Sequence, residues 1–77
     1  MTRKEFLYKY NNLRISEQYW DYGPGILVQV HDTITRQLVF EHFISSFDIE
    51  NSLVEYEYLV MVPINNWLGA LHVKEVN

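Results

Sequence analysis

Val54-Glu55-Tyr56-Glu57-Tyr58-Leu59-Val60-Met61-Val62-Pro63 is the stretch on which the fold turns. Val54, Tyr56, Tyr58, Val60 and Val62 alternate with Glu55 and Glu57, the spacing that places successive side chains on opposite faces of a strand. β-branched and aromatic side chains at those positions suit a pleated surface. The spacing predicts a strand over 54–62, ended by Pro63, which has no amide hydrogen to give to a ladder. Asn65-Asn66 then supplies a turn, and residues 67–76 return as a last strand with Leu71 and Val73 toward the core.

Upstream of this stretch, Ile26, Val28 and Val30 alternate with Leu27, Gln29 and His31, so 26–31 is a strand. The short polar turn Asp32-Thr33-Ile34-Thr35 leads into 36–44, which pairs with it as an antiparallel hairpin. Between that hairpin and Val54, Ser45 to Asp48 imitates a capping box and Ile49 to Leu53 has helical spacing, giving a turn or one helical turn. Tyr19-Trp20-Asp21-Tyr22-Gly23-Pro24-Gly25 reads as a turn with three aromatics just ahead of its glycines and proline. At the N-terminus, Thr2 and Glu5 form a capping box. Phe6, Tyr10 and Leu13 recur on one face, so a helix is expected from about residue 3 to about residue 13.

The predicted fold class is therefore α+β: an N-terminal helix packed on a four-stranded antiparallel meander, open or curled into a small SH3-like barrel. With 77 residues and no cysteine, the chain has volume for one core and no disulfide or thiolate zinc site to support it. Uncharged stretches such as 59–71 are interrupted by Pro63, Asn65 and Asn66 and are too short to span a bilayer. Met1-Thr2-Arg3-Lys4 runs into a polar helix rather than an apolar leader core, so the expected compartment is the cytoplasm.

The net charge of −4 is unevenly distributed. Residues 1–36 hold Arg3, Lys4, Lys9, Arg14 and Arg36 against Glu5, Glu17, Asp21 and Asp32. From Gln37 to Val73 there is no lysine or arginine, while Glu41, Asp48, Glu50, Glu55 and Glu57 are all acidic. Such a segment disfavours nucleic-acid phosphate, whose binding is carried by lysine and arginine, and suits a partner with a basic surface.

Little in the sequence points to catalysis. His31, His42 and His72 are far apart, and no zinc motif, phosphate loop or nucleophile elbow occurs. Asp48-x-Glu50-Asn51 lacks the spaced oxygen ligands and turn glycine of a calcium loop. No enzyme activity, cofactor or metal is expected. The aromatics carry more information, because tyrosine and tryptophan bring large contact area at modest entropic cost. Trp20, Tyr22 and Trp67 stand near turns in this reading. Leu59 and Met61 share a strand face with Glu55 and Glu57, so the sheet face opposite the core is partly apolar.

Phe40-x-x-x-Ile44-x-Ser46-Phe47-Asp48 resembles the first motif of Sm-like RNA-binding barrels. The resemblance covers residues 40–48, without the glycine that such a motif uses for its sharp strand bend, and would imply a small nucleic-acid-binding barrel.

The function expected from the residues themselves is a non-enzymatic protein-interaction module. It would be a small acidic inhibitor, of the kind phages and mobile elements encode, that occludes a larger host protein or nucleoprotein. Its partner-binding residues would be Trp20, Tyr22, Glu41, Asp48, Glu50, Glu55, Glu57, Leu59, Met61 and Trp67. The alternatives are a homo-oligomeric structural or regulatory protein, a homodimer in its simplest form, and the Sm-like barrel.

Overall fold

The computed structural model describes residues 1–20 and 23–76, with side chains described as far as Leu71. In chain order the elements are α1 (Arg3–Lys9), β1 (Leu13–Trp20), β2 (Gly25–Asp32), β3 (Leu38–Ser45), α2 (Ser46–Asn51) and α3 (Tyr56–Val76). The fold is α+β, with an open three-stranded antiparallel sheet in the order β1-β2-β3. No helix among the described residues is long and apolar enough to cross a membrane.

α1 begins where its capping box predicts. The Glu5 amide donates to Thr2 Oγ1 and the Thr2 amide to Glu5 Oε1, each at 3.2 Å. The helix is shorter than the spacing implies, because Tyr10 leaves helical geometry at its C-cap and Asn11-Asn12 turns the chain. Leu13 accordingly opens β1 instead of closing a helix. That strand was hidden from the pattern by Glu17, which occupies an inward phase between Ile15 and Tyr19 and is paired with Arg3.

β2 is the centre of the sheet and of the core. Ile15 lies opposite Val30 on one side, and Phe40 opposite Val30 on the other. Val28 and Val30 are completely buried, with Phe6 of α1 and Val60 and Ile64 of α3 against them. The β2–β3 hairpin forms as its polar turn predicts. Asp32 Oδ1 accepts from the Ile34 and Thr35 amides at 2.8 and 3.0 Å, and Arg36 takes a positive φ of 63°. Gly25 is required where β2 starts, since a Cβ there would sit 2.3 Å from the Ile44 carbonyl oxygen and 2.7 Å from the Phe43 ring.

The second half of the chain departs from the sequence pattern. In place of the strands expected over 54–62 and 67–76, one continuous helix runs from Tyr56 to Val76 after the loop residues Val54 and Glu55, and Asn65-Asn66 lies inside it rather than in a turn. The sheet therefore has three strands and is open, so neither the fourth strand nor the SH3-like or Sm-like barrel is part of it. The physical reason is a second periodicity in the same residues. Val60, Met61 and Ile64 are buried, and Leu59, Trp67 and Leu68 are partly buried against them, the three-and-four spacing of one helical face. A strand would send Val60 and Met61 to opposite faces; the helix brings both to the core, and that packing outweighs local β preference. Pro63 leaves the Leu59 carbonyl without its usual amide donor, yet the helix runs through it.

Candidate functional site

α2 is short and buries no residue completely. Ser45 Oγ caps it by accepting from the Asp48 amide at 3.1 Å, as the Ser45–Asp48 spacing predicts. Asn51 Nδ2 then donates to the Phe47 carbonyl at 2.8 Å, and the Val54 amide to Ser52 Oγ at 3.1 Å, which shapes the connection into α3. Only Ile49 packs on the core, so the helix turns its other side chains outward. Phe47 is 71% exposed, Leu53 fully exposed and Val54 half exposed. Asp48, Glu50 and Glu55 are interleaved with them and exposed.

These three carboxylates have no ion-pair partner among the described residues, where both ion pairs use Arg3. Arg3 joins Glu17 of β1 to Glu57 of α3, with Nη2 donating to Glu17 and, at 2.7 Å, to Glu57. Burial opposes the Arg3 charge, but the hydrogen bonds to Glu57 and Glu17 outweigh that and hold its pKa above the ordinary value. Burial, followed by the charge of Glu17, raises the pKa of the neighbouring Tyr56. The first half of the chain thus spends one cation on closing the fold, and the segment from Phe47 to Glu55 keeps its negative charge unbalanced.

A groove of about 360 Å³ opens where β3 meets α2 and the start of α3. Buried Ile44 and partly buried Leu59 give it an apolar lining, Phe43 and Phe47 are its exposed aromatics, and His42 and Asp48 are among its polar residues. A larger cleft of about 490 Å³ lies between α1 and α3. Its charged groups are already engaged: Arg3 with Glu57, and Glu5 with the Thr2 amide.

The outer face of the sheet has a different character. Gln18 Nε2 donates to Gln29 at 3.1 Å and Gln29 Nε2 to Glu41 at 2.9 Å, a polar ladder across all three strands. Beside it lie Trp20, Leu27 and Phe43, of which Leu27 is buried.

The structure therefore sorts the predicted partner-binding residues. Asp48, Glu50 and Glu55 share one segment, and Leu59 lines the groove beside it. Glu41 and Trp20 lie on the outer sheet face, and Tyr22 lies outside the described residues. Glu57 is tied to Arg3, Met61 is buried in the core, and Trp67 stacks on Phe40 with ring centroids 5.0 Å apart. The expected strand face shared by Leu59, Met61, Glu55 and Glu57 does not exist, because those residues belong to a helix and the loop before it. Phe47, Leu53 and Val54 were missed. Their signal was apolar side chains set between acids in a segment too short to bury them.

Among the described residues no group of three or more histidine, aspartate or glutamate side chains could hold a metal ion. Ser16 Oγ and His31 Nδ1 are buried without a hydrogen-bond partner among the described residues. No protein-family model, curated protein or solved structure matches the chain.

Proposed function

We propose that this protein is a non-enzymatic interaction module that binds and occludes a basic surface on a larger protein or nucleoprotein. One observation carries the reading: Phe47, Leu53 and Val54 stand exposed among the carboxylates of Asp48, Glu50 and Glu55, which have no ion-pair partner among the described residues. The aromatic and aliphatic side chains supply area to bury, and the carboxylates steer and orient a cationic partner. Absence of any lysine or arginine between Gln37 and Val73 leaves that attraction uncompensated. A surface of this kind acts by excluding competitors from a basic cleft, as small inhibitors encoded by mobile elements do.

The test is affinity capture of partners by the tagged chain from a bacterial lysate, with and without nuclease. A near-stoichiometric protein that survives nuclease and elutes with salt is the expected result. An eluate holding only the bait contradicts the reading and favours self-association. That second reading has its own support in the outer sheet face, where Trp20 and Phe43 are exposed.

A further inference from the structure

We infer that the partner engages this protein as an added strand, an extended segment carrying alternate apolar and lysine or arginine residues that pairs with the free edge of β3. The inference deepens the reading above and rests on it for the sign of the partner's charge. β3 pairs with β2 on one side only, and no hydrogen bond among the described residues satisfies its other edge. Edge strands in monomeric proteins are usually blunted by lysine, proline or a bulge. Leu38–Ser45 contains no lysine, arginine or proline, and its one charge is Glu41. A register irregularity opposite Val30 and His31 disturbs only its start, so 40–45 remains a regular template.

Two further features choose this edge and this occupant. The groove of about 360 Å³ lies at the C-terminal end of β3, lined by His42, Phe43 and Ile44 from the strand and by Phe47, Asp48 and Leu59 beyond it. Strand addition takes affinity from main-chain pairing and specificity from a pocket that receives alternate side chains. An apolar side chain suits Ile44 and Leu59, and a cation on a neighbouring position suits Asp48. The opposite edge, β1, carries both Arg14 and Glu17, the latter held by Arg3. A second copy of the chain is disfavoured at β3, because each copy would bring the same acids, Glu41, Asp48, Glu50 and Glu55, none of which has an ion-pair partner among the described residues.

The test uses the intact chain as bait for an unbiased library of short displayed peptides, followed by amide hydrogen exchange with the best binder. Enriched peptides are expected to alternate apolar residues with lysine or arginine, to slow exchange of the unpaired amides of β3, and to bind Asp48→Lys about tenfold more weakly. Basic peptides that protect another element, or whose apolar residues recur at helical spacing, overturn strand addition and leave the acidic-surface reading standing. Neutral or acidic consensus peptides, or no enrichment at all, overturn the inference; affinity equal for Asp48→Lys and wild type tells against both.

Discussion

The rings of Phe40 and Trp67 stack with centroids 5.0 Å apart and planes inclined by 25°, fastening the middle of α3 to β3. The contact gives Trp67 a packing role on the half-buried rim of the core. Trp67→Ala is expected to lower unfolding stability by about 3 kcal/mol, the range for loss of a large aromatic from a packed site. Trp67→Phe, which keeps a ring to stack, should cost less. Urea titration of both variants measures the difference, and partner binding by the folded fraction should stay at the wild-type level.

Pro63 distinguishes a helix from a strand at the place where local pattern and structure disagree. In α3 it removes one amide donor and sets its ring against the preceding turn. Pro63→Ala is expected to raise stability by about 1 kcal/mol and to increase helical circular dichroism, part of the roughly 3 kcal/mol that separates proline from alanine within a helix. A loss of stability would show that the turn before Ile64 depends on the ring.

Acid should weaken the fold. The backbone amide of Thr2, followed by its hydroxyl, holds the Glu5 carboxylate below its ordinary pKa, and the Thr35 and Ile34 amides do the same for Asp32. A carboxyl group with a lower pKa in the folded state is bound by fewer protons there than in the unfolded chain. Its contribution is present above the unfolded value and is lost as pH falls through the folded one. Thermal midpoints should therefore decline as pH drops below the ordinary values of 4.5 and 3.8. Thr2→Ala and Asp32→Asn should each flatten part of that decline, which a pH series of melting curves records.

The first half of the chain was largely legible. The Thr2–Glu5 capping box, the alternation from Ile26 to His31 and the Asp32 turn are local signals, and each operates as its chemistry requires. β1 was obscured because Glu17 sits in an inward phase, an assignment that only its pairing with Arg3 explains. The region from Tyr56 onward carries two periodicities at once. Val60 and Val62 satisfy a strand, whereas Val60, Ile64 and Trp67 satisfy a helix, and the choice depends on what Phe6, Val28 and Val30 offer as a surface. That surface is nonlocal and cannot be read from residues 54–63 alone. The same ambiguity scattered the site prediction. The strand pattern turns Met61 outward and sets Trp67 beside a turn, whereas the helix buries Met61 and stacks Trp67 on Phe40.

The most direct test of the proposed interaction surface is the dissociation constant of the captured partner for wild type and for the double variant Asp48→Lys, Glu50→Lys, measured at low and moderate salt. Both side chains are exposed and unpaired among the described residues, so the fold should survive their reversal. Binding about tenfold weaker or more, with a shallower salt dependence, is the predicted result. Unchanged affinity and salt dependence in the folded double variant would contradict an acidic corner that recognises a basic partner.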